Sequence, residues 1–356
     1  MLNSPLHLIP IIPEWAKSGS EASAIVLSTR VRIARNLLGE VYPNKMDSEA
    51  RIRVVRNSAR AISEMTEYGN GVFFSLVSLS PQEITVLVER RTISPQLARD
   101  EGPRGVFIWK ELDRAIMVCE EDHIRLSEIV PGLAPQAAYQ HLAPIMDELA
   151  ETLQFEHDND LGYLTACPAN LGAAVRTSLF CHLPGLVLTG NIESLASHVA
   201  DAGFTVRGFW GEGSEILGNA FQLTDGPGLS LHTSDMLSRI ESLGQEIIER
   251  EAIARIDLQT QKGIILQDKL ARALAILQNC RVLSGAETLS LFSAMRLGID
   301  IGLIEGVTRQ DISMLTFELG KGYLRVFLDG GSSSEVRQSY RALRVREVFH
   351  KARMVA

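Results

Sequence analysis

Four short stretches of this 356-residue chain gather residue types that could do chemistry. Ser28-Thr29-Arg30-Val31-Arg32 sets two arginines two positions apart, directly after the apolar run Ile25–Leu27. In an extended segment Arg30 and Arg32 share one face and Val31 takes the other. Like charges on one strand face repel unless an anion lies between them. Cys119-Glu120-Glu121-Asp122-His123-Ile124-Arg125 concentrates three carboxylates, a histidine and an arginine. If buried, those carboxylates must be paired, and one could act as a base. Cys167-Pro168-Ala169-Asn170 runs on to Arg176, with Asn170 expected to cap a helix that carries the arginine. Arg207-Gly208-Phe209-Trp210-Gly211-Glu212 places an arginine and a glutamate on a glycine-flanked loop. Taken singly, each stretch reads equally well as a solvated surface segment.

The basic residues are skewed, with 28 Arg against 7 Lys. Arginine is the side chain that grips phosphate or carboxylate in a fixed fork. Net charge is nonetheless −8, which argues against a general nucleic-acid binder. A content of 46% hydrophobic and 22% charged residues is that of a globular protein rather than a disordered one. The four cysteines, Cys119, Cys167, Cys181 and Cys280, are widely spaced with no C-x-x-C pair, so a reduced, cytoplasmic protein is expected. The apolar stretch Leu6–Pro13 is interrupted by prolines and is too short for a signal core or a membrane span. No phosphate-binding glycine loop is present, because Gly211-Glu212-Gly213 does not extend to a dinucleotide fingerprint. No H-E-x-x-H and no Cys/His cluster at zinc spacing occur, so no protein-held metal is expected.

The elements that must position these residues follow from periodicity. Val72–Leu79, Glu83–Glu89, Val106–Trp109, Ala115–Cys119, Gly162–Ala166, Thr205–Trp210 and Ala220–Leu223 read as strands. His141–Phe155 and Leu171–Leu183 read as helices. Strands in close pairs without regular helical crossovers predict an α+β fold with an antiparallel sheet flanked by helices. From about Ser234 onward helical stripes dominate, and a Gly/Ser-rich stretch at Asp329–Ser334 precedes a final basic helix. The expected organisation is an N-terminal segment over 1–24, a catalytic domain over 25–254 and an α-helical C-terminal domain over 255–356.

In their order, spacing and residue types the four stretches resemble the ATP:guanidino phosphotransferases, or phosphagen kinases. That family carries S-[ST]-R-V-R, N-E-E-D-H-x-R, C-P-[ST]-N-L-G-T-x-x-R and R-G-x-x-G-E segments, all matched here between residues 28 and 212. Cys119, Ala169 and Ala173 depart from the pattern, and Arg91 stands where the family has a nucleotide-contacting histidine. The resemblance implies that Arg30, Arg32, Arg125, Arg176 and Arg207 hold the phosphates of ATP. It further implies nucleotide contacts from Ser28, Thr29, Val31, Arg91, Thr177, Ser178, Leu179, Phe180, Gly208, Phe209, Trp210, Gly211 and Glu212. Glu121 and Glu212 fall at the positions of base and orienter for a guanidine acceptor, whose proton must leave as attack begins. Mg²⁺ is implied as cofactor, held by phosphates and water rather than by protein ligands. Cys167 is either an electrostatic tuner near the site or a structural cysteine.

Small-guanidine kinases of this family carry a helical domain of about a hundred residues before the first motif, which here begins at residue 28. With its extra C-terminal helices, the arrangement resembles the protein-arginine kinase branch. Glu335–Ala356 holds five Arg and one Lys against two Glu, with Arg337, Arg341 and Arg344 at helical spacing. Arg337-Gln338-Ser339-Tyr340-Arg341-Ala342 is similar to that branch's allosteric phosphoarginine motif, with Gln338 in place of Asp. The branch implies protein substrates with exposed arginines, an McsA-like activator, a Clp ATPase/protease and a homodimer, without nucleic acid or membrane. Two rival readings stand beside it: a kinase for free arginine or another small guanidine, and a non-catalytic phosphoarginine-binding adaptor.

Overall fold

The structure, a computed structural model, describes residues 5, 12–17, 24–208, 217–226, 232–328 and 332–355. After the short helix α1 (Glu14–Lys17), strand β1 (Val26–Arg35) takes the centre of the sheet. Helix α2 (Ser48–Glu64), strand β2 (Gly71–Ser75), helices α3 (Pro81–Glu89) and α4 (Pro95–Arg99) and strands β3 (Gly105–Trp109), β4 (Arg114–Val118) and β5 (Ile124–Pro131) follow. Helix α5 (Pro135–Thr152), a small hairpin β6 (His157–Asp158) and β7 (Gly162–Tyr163), and strand β8 (Val175–His182) come next. Helices α6 (Pro184–Thr189) and α7 (Ile192–Asp201) lead to strands β9 (Thr205–Arg207) and β10 (Ala220–Thr224). The sheet has eight strands in the order β2-β3-β4-β5-β1-β8-β10-β9, and every pairing is antiparallel, as expected.

Two elements differ in type from their sequence reading. Glu83–Glu89 is helical rather than extended. Ser80 accepts from the Glu83 N–H at 3.3 Å while the Glu83 carboxylate accepts from the Ser80 N–H at 2.7 Å. With Pro81 in the first turn, this capping box outweighs the β-branched content of the segment. Conversely, Leu171–Leu183 is not a helix. It is a short 3₁₀ turn at Pro168–Asn170 followed by β8, so Arg176 sits on a strand. Arg176, Ser178, Phe180 and His182 alternate with Val175, Thr177, Leu179 and Cys181, a period of two that an apolar-spacing count obscured. The Val72–Leu79 strand is also shorter, ending at Ser75 before a 3₁₀ turn.

Alternation gives the sheet two different faces. On its back, Val31, Ile33, Trp109, Ile116 and Leu126 form a core with residues of α2 and α5 such as Ile62, Leu142 and Leu149. That core extends toward β8 and β10 through Leu179, Cys181 and Phe221, packed on α6, α7 and the first half of α8 (Thr233–Asn279). On the front, Phe74, Val106 and Met117 pack under α3 and α4 at one end of the sheet. The front of β1 and β8 carries the candidate functional residues.

Helix α8 is 47 residues long and kinks at Lys262, where φ is −130°. Its second half joins α9 (Gly285–Asp300), α10 (Arg309–Glu318), α11 (Lys321–Phe327) and α12 (Ser334–Phe349) around Leu270, Phe292, Leu315 and Val345. Strands β11 (Ile304–Glu305) and β12 (Arg353–Met354) clip this unit closed. Two carboxylates cap helices at the joint between this unit and the sheet domain. Glu251 of α8 accepts from the N–H groups of Gly185 and Leu186 at 2.9 Å each, capping α6. Glu89 of α3 accepts from Gly322 at 2.7 Å and Tyr323 at 3.1 Å, capping α11. Each helix N-terminus presents unpaired N–H groups that a carboxylate satisfies. Arg255 then ties Glu251 (2.7 Å) to Asp300 (3.0 Å).

Candidate active site

Register, more than sequence proximity, assembles the arginines. Directly opposed residues of an antiparallel pair point to the same face. Arg30 and Arg32 of β1 face forward, and Arg32 lies opposite Arg176 of β8. Arg125 of β5 lies opposite Ala34, again on the front. Arg207 of β9 opposes Gln222, which opposes Phe180, two steps along β8 from Ser178. All five arginines therefore share the front face of one sheet.

Their electrostatics are those of a site built for an anion. Burial first, and then the neighbouring Arg125, pull Arg30 down to about 10. Burial followed by Arg125, Arg30 and Arg176 pulls Arg32 down further, with Asp225 in partial opposition. The Nε atoms of Arg30, Arg32, Arg125 and Arg176 are buried with no hydrogen-bond partner among the described residues. A buried, unpaired donor costs free energy that a ligand oxygen recovers. Triphosphate oxygens meet this requirement through charge-assisted, forked contacts.

The acidic stretch sorts its three carboxylates by partner. It forms the turn between β4 and β5, with Cys119 at φ 59°. Glu120 is buried against Arg125 and the Ser94 hydroxyl. Burial alone would raise its carboxyl, but Arg125 and Ser94 outweigh this and hold it below the usual range. Asp122 accepts from Asn36 (2.7 Å) and the Ala166 N–H (2.8 Å), while His123 Nδ1 accepts from the Leu37 N–H at 3.0 Å. These two residues brace the turn. Glu121 is the half-exposed one, 3.6 Å from Arg125 and 3.4 Å from the Asn170 amide. Burial pushes its carboxyl up, against Arg125 and together with Asp122 and Glu120. Two neighbouring glutamates pushed in opposite directions is the pattern of a structural anion beside a proton acceptor.

Asn170 does not cap a helix; it links the halves of the site. Its amide reaches Glu121, and its carbonyl accepts from Arg176 at 3.2 Å. Cys167 starts the same 3₁₀ turn and is partly exposed, its carbonyl accepting from Asn170 N–H at 2.9 Å. Arg176 also donates to the Asp225 carbonyl at 3.0 Å, and Asp225 accepts from the Thr177 N–H at 3.0 Å. Burial raises the Asp225 carboxyl to about 6. Asp225, Ser94 and Asn36 were not marked by any sequence motif; each earns its place through pairing across the fold.

Arg91 follows α3 in a left-handed turn, φ 61°, and its guanidinium lies 4.2 Å over the Phe180 ring. Burial and then Arg30 draw it down to about 10, which places it beside the phosphate arginines. Among the other expected contact residues, Ser28, Ser178 and Phe180 lie on or beside this front surface. Thr29, Val31, Thr177 and Leu179 are fully buried with side chains on the alternate positions, so they offer backbone only. Gly208 is buried next to β9. Phe209, Trp210, Gly211 and Glu212 lie outside the described residues.

In the C-terminal unit, Arg341 is buried and donates to the Leu319 carbonyl at 2.9 Å, and Arg337 donates to the Ser332 carbonyl. Burial, then Arg337, lowers Arg341, with Glu89 opposing. Gln338 donates to Ser334 at 3.2 Å, Ser339 is exposed, Tyr340 packs on Phe327, and Ala342 belongs to the core. Arg344 is neutralised by Glu318 and Glu347.

An antiparallel sheet with an arginine-lined face and a neighbouring carboxylate of raised affinity for protons defines a phosphoryl-transfer site built from side chains. Residues 53–254 match the family model of the ATP:guanido phosphotransferase C-terminal catalytic domain, and residues 263–355 match that of the protein-arginine kinase McsB C-terminal domain. The chain belongs to the protein-arginine kinase family of ATP:guanido phosphotransferases. It is 36% identical to the protein-arginine kinase of Geobacillus thermodenitrificans over 94% of this chain and 93% of the relative. The Moorella thermoacetica protein-arginine kinase is 34% identical over 94% and 97%. Among solved structures, the duplicated taurocyamine kinase of Schistosoma mansoni with bound transition-state-analogue components superposes with a TM-score of 0.58 at 26% identity. That match covers 71% of this chain and 38% of the duplicated one. Lombricine kinase, at 21% identity and a TM-score of 0.58, shares the fold over 70% of this chain and 72% of its own.

Proposed function

We propose that the protein transfers the γ-phosphoryl group of ATP to arginine side chains of other proteins. The observation that carries this is the arrangement of five arginines on one sheet face beside a half-exposed glutamate. Arg30, Arg32, Arg125, Arg176 and Arg207 align and neutralise the phosphates. Glu121 takes the guanidinium proton as the N–P bond forms and the bond from the γ-phosphorus to ADP breaks. Glu212 orients the acceptor, and Cys167 tunes the local potential. Mg²⁺ would accompany the phosphates, held by their oxygens and by water. It would supply charge neutralisation there.

The finer assignments extend this reading. Arg337, Gln338, Ser339, Tyr340 and Arg341 receive a phosphoarginine, supported by the adjacent cations Arg337 and Arg341 on α12. Phosphorylated proteins pass to a Clp ATPase/protease in the cytoplasm, with an McsA-like activator. A second copy of the chain covers the exposed isoleucines Ile253, Ile256, Ile264 and Ile265 around the α8 kink, which are 60%, 61%, 82% and 66% exposed. No described helix is long and apolar enough to cross a membrane.

Incubation with ATP–Mg²⁺ and an unfolded protein, then phosphosite mapping under non-acidic conditions, should find phosphate on arginine. ATP consumption with free arginine alone would favour a small-guanidine kinase. Peptide binding without turnover would favour an adaptor.

A further inference from the structure

Strand β8 acts as a ruler across the front of the sheet. Arg176, Ser178, Phe180 and His182 all face forward, and six residues of strand span roughly 20 Å. With phosphates at Arg176 and Arg32, an extended nucleoside triphosphate running along β8 passes the Arg91–Phe180 stack and reaches His182. A cavity of about 340 Å³ opens there. One wall comes from the sheet domain through Arg91, Phe180 and His182; the other comes from α9 through Leu289, Phe292 and Arg296.

Three polar atoms in that largely apolar lining lack partners. Trp15 Nε1, His182 Nδ1 and Arg296 Nε are buried without a hydrogen-bond partner among the described residues. The Asn219 amide donates to the Ser293 hydroxyl oxygen at 2.8 Å, and that oxygen lies 2.8 Å from His182 Nε2. Ser293 thus holds the ring through Nε2 and leaves Nδ1 for a ligand, as donor or acceptor according to the tautomer. Burial, then Arg296 and Arg255, keeps the ring neutral. The cavity thus offers the unpartnered N–H groups of Trp15 and Arg296, with His182 Nδ1 beside them, in an apolar slot. A flat ring carrying acceptor nitrogens satisfies these donors. Adenine presents an acceptor at N1, where guanine carries N–H.

We infer that the C-terminal helical domain forms the far wall of the nucleoside pocket, and that His182, set by Ser293 of α9, reads the base. This rests on the ATP-dependent reading above. It makes the helical domain part of the nucleotide site rather than a separate appendage.

The test uses the full chain and calorimetric binding of ADP, GDP and inorganic tripolyphosphate. Ala286 lines the cavity from an exposed position on α9, so Ala286→Trp fills the pocket without burying new bulk in a core. ADP binding should weaken by about tenfold or more while tripolyphosphate binding is unchanged. Unchanged ADP binding, or equal loss of both ligands, overturns the inference. Ser293→Ala should reduce the preference for ADP over GDP by about tenfold, the worth of one buried hydrogen bond. A preference that stays the same overturns the role of His182. A wild-type chain that binds tripolyphosphate no more weakly than ADP removes the nucleoside pocket while leaving the arginine face standing. Binding of neither ligand brings down the ATP reading itself, and the pocket with it.

Discussion

Replacing Glu121 with glutamine is expected to lower turnover by about 10²–10⁴-fold while leaving ADP binding intact. Glutamine keeps the contact with Asn170 but cannot accept the guanidinium proton. The alternative, that Glu121 merely pairs with Arg125, predicts a loss of nucleotide affinity instead, since Arg125 would relax. Glu120 already fills that pairing role, which is why the two outcomes separate. The pH profile offers an independent reading. The base works only when ionised, and burial raises the Glu121 carboxyl above its ordinary range. Activity should therefore fall on the acid side at a pH above the ordinary glutamate value of about 4.3. An acid limb at that ordinary value, or a glutamine variant that still turns over, would count against Glu121 as base.

Arg255→Leu should destabilise the chain by about 3–5 kcal/mol, measured by denaturant unfolding. Arg255 is the cation between Glu251 and Asp300, whose side chains are 0% and 1% exposed. Removing it leaves two buried carboxylates, with Arg309 still beside Asp300 but, among the described residues, no cation paired with Glu251. Burial already raises the Glu251 carboxyl, with Arg255 the principal counterweight. The loss should thus be partly relieved at lower pH, where Glu251 can protonate. A double variant, Glu251→Leu with Arg255→Leu, should recover part of the loss, although the α6 cap is then gone. A single variant as stable as the wild type would refute the network's role.

Much of the site was legible because it is local. The arginine pair on β1 and the acidic turn are continuous stretches whose residue types state their chemistry. Their union was not legible, since it depends on which strand lies beside which, and on register across pairs as distant as Arg32 and Arg176. One local misreading had a large consequence. Treating Leu171–Leu183 as a helix turned Asn170 into a cap, whereas on a strand-bound Arg176 it becomes the bridge to Glu121. The Ser80–Glu83 capping box makes Glu83–Glu89 a helix, although its β-branched residues read as a strand. His182 carried no motif, and only alternation along β8 places it in line with Arg176. At the other end of the chain, helical spacing puts Arg337, Arg341 and Arg344 on one face, but only packing shows that Arg341 is buried, donating to the Leu319 carbonyl at the end of α10.

Helix α8 bears on how the molecule comes apart. The two family models divide the chain on either side of residues 255–262, inside this one helix. Its first half supplies Ile240 and Ile247 to one core, and its second half supplies Leu270 and Leu277 to another. Helical hydrogen bonding carries order from turn to turn, and Arg255 pins the junction. Melting either core strips the other of a helix it needs. By ancestry the chain has two parts; in unfolding it should behave as one cooperative unit, with a single transition where its sequence suggests two.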